Sequence, residues 1–156
     1  MIADIEVWLS KRAIKLFENG EITDLCEDEP FETRFAKLFR QSANIAYGFD
    51  IMYILSIGFF EFFHNQKLLD AVEPLLGKEI SCNPIQHIRA KPPTKLEGHR
   101  KPSFHNVPWH QDAGVMMAEA EDSNILTCWI PLVDITKEMG CLRALPNCAD
   151  LGYIPH

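Results

Sequence analysis

The sequence lacks the paired cysteines of a disulfide framework or a structural zinc site. Its five cysteines are odd in number and form no Cys-x-x-Cys pair, and the first residues do not follow the pattern of a secretory signal. A disulfide-stabilised secreted domain is therefore not indicated. Free thiols persist in a reducing compartment, so we expect a cytoplasmic protein.

An apolar run long enough to cross a bilayer and an excess of basic residues are also missing. The most apolar stretch, residues 51–63, is interrupted by Glu61 and is shorter than the roughly 20 residues of a membrane helix. We interpret it as a buried segment and expect no membrane span. The formal net charge of −7 argues against a general nucleic-acid binder, which needs a basic face to neutralise phosphates.

The chain is long enough for one hydrophobic core. It has 156 residues, of which 47% are hydrophobic, and contains no internal repeat, low-complexity tract or convincing linker. We therefore predict a single domain, residues 1–156, with a helical part over residues 1–77 and a strand-rich part over residues 79–156.

Helical periodicity dominates the first half of the sequence. Residues 5–17 place most of their apolar side chains on one face, and Asn19-Gly20 is a plausible stop signal. Two further helical patterns cover residues 32–47 and 66–76, and Gly77 is a candidate C-cap for the last of them. The pattern predicts three helices.

The second half has the composition of short strands and loops. A loosely alternating stretch from Glu79 ends at Lys91-Pro92-Pro93, and residues 92–108 are rich in proline and basic residues, which is typical of a loop. The apolar runs 124–133 and 141–145 then predict further short strands, separated by a polar turn.

The loop leads into a His-x-Asp pair, His110 and Asp112. Residues i and i+2 of a strand share a face, so the imidazole and the carboxylate could bind one metal ion while Gln111 points away. Completed by a second histidine, such a pair is the facial triad of non-haem Fe(II) oxygenases. The pattern is short, and a coincidental His-x-Asp in an unrelated protein is the alternative.

The surrounding sequence gives the pair a context. Trp109-His110-Gln111-Asp112 is followed by the run Trp129 to Ile135 and by the Gly140-Cys141-Leu142 segment that ends at Pro146. Over about residues 65 to 156, the sequence resembles the phytanoyl-CoA dioxygenase family.

This resemblance implies an α+β fold, a double-stranded β-helix of jelly-roll or cupin type preceded by N-terminal helices. It implies an Fe(II)- and 2-oxoglutarate-dependent dioxygenase that hydroxylates a small molecule such as an acyl-CoA, with His110 and Asp112 as metal ligands. It also places His87 and Trp129 beside the 2-oxoglutarate co-substrate. The alternatives are a buried core position for Trp129 and no functional role for His87.

The sequence departs from the family pattern in its last third. The 44 residues after Asp112 leave room for about four more strands, whereas a jelly roll needs about eight. His156 matches a non-ligand histidine of the family, so the distal metal ligand and the basic residue that clamps 2-oxoglutarate have no counterpart. Met139 and Asn147-Cys148-Ala149 replace residues that relatives usually carry. We therefore expect an incomplete β-helix that corresponds to an N-terminal part of the domain.

An alternative function and a hypothesis about the basic loop stay open. An incomplete sheet exposes an unpaired edge, so the chain could be a non-catalytic binding or assembly module, or could self-associate through that edge. The basic residues between Arg89 and Lys101 could steer an anionic co-substrate toward the metal, although a solvated loop is the commoner reason for such a composition.

Overall fold

The structure is a computed structural model that describes residues 1–93, 107–112, 123–148 and 151–152. The regular elements of these residues are all helical. They are four α-helices, α1 (Ile2–Glu18), α2 (Phe31–Gln41), α3 (Ile57–Phe63) and α4 (Gln66–Leu76), and two 3-10 helices, Ala43–Ala46 and Ile51–Tyr53.

Helix α1 confirms the first predicted helix. Its buried residues recur at helical spacing, every three or four positions, and are Ile5, Leu9, Ala13 and Leu16. Phe17, the last residue of the predicted pattern, is about half exposed and does not belong to this buried face. The chain leaves the helix at Asn19 and Gly20, where Gly20 adopts a φ of 72°, a conformation that glycine enters without a steric penalty.

Helix α2 is shorter than predicted. It ends at Gln41 instead of Tyr47, because Ser42 adopts an extended conformation and its Oγ accepts a hydrogen bond from the amide of Asn44 at 3.3 Å. That bond caps a new 3-10 helix, Ala43–Ala46. Serine and asparagine often compete with helical hydrogen bonds in this way, and the apolar periodicity does not reveal it.

Helix α4 has the predicted bounds, Gln66–Leu76. Its N-cap is Asn65, whose Oδ1 accepts a hydrogen bond from the amide of Lys67 at 3.0 Å. Gly77 follows the helix with a φ of 93°, so the predicted glycine C-cap is confirmed.

Two apolar clusters hold the helices together. The first joins α1 and α2 and includes Leu9, Leu16, Leu38 and Ile45. The second centres on Ile5, Ile51, Ile54 and Phe59, and two residues from outside the helical part, Ile88 and Leu132, pack against it. The second cluster therefore attaches the later segments of the chain to the helices.

Residues 51–63 are only partly the buried segment that we expected. Ile51, Ile54 and Phe59 are buried, but Leu55 is 79% exposed and Ile57 is 76% exposed. The segment folds as a 3-10 helix followed by α3, and a helix against a core buries one face only. Within the described ranges, no helix combines the length and the apolar character that crossing a membrane requires.

The predicted jelly roll is wrong for the part of the chain that the structure describes. No β-strand occurs in the described residues of the predicted strand-rich part, 79–156, and the backbone hydrogen bonds between described residues of this part are local turn bonds that span three to five positions. The apolar residues of 123–131 are exposed instead of packed beneath a second layer. Strand formation depends on a paired neighbour and on burial of one face, and apolar composition alone provides neither.

Candidate metal centre

His110 is held by a local hydrogen bond. Its Nδ1 lies 2.8 Å from the carbonyl oxygen of Pro108, and a carbonyl only accepts, so Nδ1 carries a proton and donates it. This bond fixes the orientation of the ring and leaves Nε2 as the outward atom. Metal-binding histidines are typically held in this way, with one nitrogen bonded to the protein and the other directed at the metal.

The Nε2 atom of His110 lies 3.2 Å from Oδ1 of Asp112. With Nδ1 committed to Pro108, a neutral imidazole would direct a lone pair at a carboxylate oxygen, which is repulsive. A second ring proton or a bound cation removes that repulsion. Two ligand atoms that each lie about 2.1 Å from one ion, at right angles to each other, are about 3 Å apart. The donor set and its spacing therefore fit a divalent cation.

Gln111, between the two, is bonded elsewhere. Its side-chain amide donates to the carbonyl oxygen of Gly152 at 2.9 Å. Residues 107–112 form no β-strand, so the strand placement that we expected for His110 and Asp112 is wrong, although their side chains still approach each other. The guanidinium of Arg143 lies over the ring of Trp109, 5.2 Å from its centroid. These two contacts attach the His110–Asp112 segment to later parts of the chain.

The pair is accessible to solvent. The side chain of His110 is 40% exposed and that of Asp112 is 58% exposed. Neither side chain is therefore enclosed by the described residues. The described residues contain no group of three or more histidine, cysteine, aspartate or glutamate side chains that could hold a metal ion.

His87 lies apart from the pair and has its own partner. Its Nδ1 is 3.0 Å from Oδ2 of Asp50, and no described contact joins it to His110 or Asp112. Sequence reasoning singled out His87 but missed Asp50, which is 37 positions earlier and follows no motif. The expected placement of His87 beside the co-substrate stays a prediction.

Trp129 is 43% exposed, so the alternative that it is a buried core residue is wrong. No ring contact or hydrogen bond places it against the described parts of the His110–Asp112 segment. Its predicted position near the co-substrate also stays a prediction.

The remaining histidines and basic residues are only partly described. His64 ends α3, where its Nδ1 lies 2.8 Å from the carbonyl oxygen of Phe60. His99, His105 and His156, together with Lys95, Arg100 and Lys101 of the basic loop, lie outside the described residues. Lys91 at the start of that loop donates to the carbonyl oxygen of Gly140 at 2.7 Å.

Comparison with known proteins identifies the family to which the chain belongs. An orientated imidazole and a carboxylate two residues apart define a candidate mononuclear metal site of the kind found in non-haem iron proteins. The family model for phytanoyl-CoA dioxygenase (PhyH) matches residues 20–150. The chain therefore belongs to the phytanoyl-CoA dioxygenase family, a family of Fe(II)- and 2-oxoglutarate-type dioxygenases.

The match starts well before residue 65, where we expected the resemblance to begin, so it also covers α2, α3 and α4. The comparisons with curated proteins and with solved structures each found no match.

Proposed function

We propose that the protein is an Fe(II)- and 2-oxoglutarate-dependent dioxygenase that hydroxylates a small molecule, and that His110 and Asp112 are two of its iron ligands. The single observation that carries the proposal is the 3.2 Å approach of His110 Nε2 to Asp112 Oδ1 inside the segment matched by the family. Acyl-CoA thioesters and other metabolites are the substrate class that we propose.

The proposed roles concern the iron ligands and the residues that contact the co-substrate. His110 would offer Nε2, because Pro108 holds its other nitrogen, and Asp112 would offer a carboxylate oxygen and a negative charge. When bound, Fe(II) together with 2-oxoglutarate would supply the oxidising chemistry that such oxygenases use. His87 and Trp129 would contact the co-substrate.

Anaerobic titration with Fe(II) tests the metal ligands. In the presence of 2-oxoglutarate, we expect a metal-to-ligand charge-transfer absorption band in the wild type. His110→Ala and Asp112→Ala should both lose the band, because each removes one ligand atom. His64→Ala, which changes another exposed histidine that α3 positions, is the matched control and should keep it. A band that survives His110→Ala would contradict the proposed ligation.

A second candidate function, a non-catalytic binding or assembly module, is favoured by one observation. Several large apolar side chains of residues 52–60 are strongly exposed, among them Leu55 and Ile57. An exposed apolar patch of this kind often marks an interaction surface. The sheet edge that we expected to mediate pairing is not present in the described part of the chain, so this candidate now rests on the helical patch.

Light scattering distinguishes the two functions. If the patch is an assembly surface, the wild type should form oligomers, or complexes with an added partner protein. The double variant Leu55→Glu, Ile57→Glu should form neither. Fe(II) binding that is lost in His110→Ala, combined with a monomeric wild type, would favour the oxygenase instead.

A further inference from the structure

The indole of Trp109, the residue before His110, is not held by the hydrophobic core. Trp109 is 57% exposed and belongs to neither of the two apolar clusters. An aromatic side chain of this size is ordinarily held by burial of its large apolar surface. Its partner among the described residues is instead a cation, the guanidinium of Arg143, which lies over the ring at 5.2 Å from the centroid.

Arg143 is free to make this contact because no ion pair with the described residues competes for it. The residue is exposed, and none of the described carboxylates lies within ion-pair distance of its guanidinium. A guanidinium is planar and more weakly hydrated than an ammonium, so it stacks well on an aromatic face, and tryptophan is the most favourable ring for such a contact. The two side chains are therefore well matched for a cation–π interaction.

The segment that carries Arg143 is attached to the helical part of the molecule. Gly140, shortly before Arg143, accepts a hydrogen bond from Nζ of Lys91 at 2.7 Å, and its own amide donates to the carbonyl oxygen of Lys137 at 3.1 Å. Ile88, close to Lys91 in the sequence, packs against the second apolar cluster. A series of contacts therefore connects the helical core to Arg143, and Arg143 to Trp109.

Trp109 and His110 have little support from their own backbone. Neither residue forms a backbone–backbone hydrogen bond with the described residues, and residues 107–112 form no β-strand. The bond from Nδ1 of His110 to Pro108 is local, so it orients the ring but does not fix where the segment lies. Restraint by the described residues therefore comes from side-chain contacts with later parts of the chain, at Trp109 and at Gln111.

We propose that Arg143 is a positioning residue of the iron site: its guanidinium holds the indole of Trp109 and thereby fixes the backbone that presents His110 to the metal. This inference rests on the proposed function, because it concerns a ligand of the same metal ion. A ligand that is already restrained loses less conformational freedom when the metal binds, so the contact raises the affinity for Fe(II). In this role Arg143 acts through Trp109 and does not touch the metal.

The sign of the effect separates positioning from charge. By electrostatics alone, removal of the positive charge of Arg143 would strengthen the binding of a nearby Fe(II) ion. Loss of positioning weakens it instead. Arg143→Met keeps an unbranched apolar side chain and removes the guanidinium. We expect this variant to bind Fe(II) about two- to fivefold more weakly, the effect of losing one exposed cation–π contact.

The first measurement tests the contact in the absence of metal. The indole N–H resonance of Trp109, in a 15N–1H correlation spectrum of the full chain, is assigned by its loss in Trp109→Leu. Arg143→Met should shift this resonance, whereas Arg40→Met, the same change at an exposed arginine of α2, should leave it unchanged. An unchanged Trp109 resonance in Arg143→Met would show that the guanidinium does not lie on the ring, and would overturn the inference.

The second measurement is a double-mutant cycle on Fe(II) affinity, by anaerobic titration in the presence of 2-oxoglutarate. Arg143→Met should weaken binding in the wild-type chain but have no further effect once Trp109→Leu has removed the ring. Trp109→Phe keeps an aromatic face and Arg143→Lys keeps a cation, so each should retain part of the lost affinity. Arg40→Met should bind Fe(II) as tightly as the wild type does.

The outcomes separate this inference from the proposed function. If Fe(II) binding depends on His110 but Arg143→Met binds as tightly as Arg40→Met or more tightly, the inference is overturned and the proposed function stands. If Arg143→Met weakens binding equally with and without the ring of Trp109, Arg143 does not act through Trp109 and the inference is wrong. If the wild type binds no Fe(II), the proposed function fails and the inference fails with it.

Discussion

The side-chain amide of Gln111 donates a hydrogen bond to the carbonyl oxygen of Gly152 at 2.9 Å. On either side of Gln111, Nε2 of His110 and Oδ1 of Asp112 lie 3.2 Å apart. The bond joins positions that are 41 residues apart, so a distant part of the chain helps to hold the two candidate ligands.

Gln111→Leu tests this positioning role. The substitution keeps most of the side-chain volume and removes the hydrogen bond to Gly152, so the segment that carries His110 and Asp112 should become less ordered. We expect Fe(II) binding to weaken by about threefold to tenfold, the equivalent of roughly 1 kcal/mol for one hydrogen bond. The measurement is anaerobic titration, with Gln86→Leu as the control for a glutamine outside the segment. Unchanged affinity would show that Gln111 does not position the ligands.

Lys91→Met tests the attachment of Lys91 to the turn at Gly140. The variant keeps the apolar stem of the side chain but cannot donate to the Gly140 carbonyl oxygen. We expect a loss of about 1 kcal/mol or less in the free energy of unfolding, since the bond is exposed to solvent. Urea denaturation measures it, and Lys78→Met is the control. Equal midpoints for the two variants would contradict a stabilising role for this bond.

Leu9→Ala tests the first apolar cluster. Leu9 is 2% exposed and packs between α1 and α2, so truncation leaves a cavity as well as removing apolar contact. The expected loss in the free energy of unfolding is about 3 kcal/mol. Ile14→Ala, on the exposed face of the same helix, should cost much less, because Ile14 is already largely in water. Similar losses for the two variants would mean that the cluster is not the core.

The ion pair of Glu29 and Lys37 predicts a pH dependence. The hydrogen bond from Lys37 holds the pKa of the Glu29 carboxyl below its ordinary value of 4.5. A lowered folded-state pKa means that the ionised form stabilises the fold above the ordinary pKa, and that this contribution is lost as the pH falls through the lowered pKa.

Glu29→Gln should therefore be less stable than the wild type near neutral pH, and the difference should disappear in acid, where Glu29 of the wild type is also uncharged. The difference should be small, because the pair is exposed to solvent. Thermal denaturation across the pH range measures it. Glu61→Gln, an exposed glutamate without an ion pair to the described residues, should show no such trend. A difference that persists in acid would contradict the role of the carboxylate charge.

The helices and the candidate ligands could be predicted from the sequence, because both depend on residues that are close together in the chain. The spacing of Ile5, Leu9, Ala13 and Leu16 defines a helix face whatever the rest of the chain does, and Asn65 and Gly77 mark the ends of α4. His110 and Asp112 are two residues apart, so their approach is a local contact that a sequence pattern can indicate. The family can also be recognised from the sequence, because the family model matches residues 20–150.

Features that depend on contacts between residues far apart in the chain were determined by the tertiary structure. The apolar run that includes Trp129 and Ile130 predicted strands, but strands form only against paired neighbours and a covering layer, and the described residues provide neither. The bond of His87 to Asp50, 37 positions away, and that of Gln111 to Gly152, 41 positions away, have no signature in the spacing of residues. The sequence by itself determined helices α1 and α4, the His-x-Asp pair and the family. Tertiary structure determined where the later segments lie. The packing of Ile88 and Leu132 onto the helical cluster and the bond of His87 to Asp50 both bring together groups that are far apart in the chain.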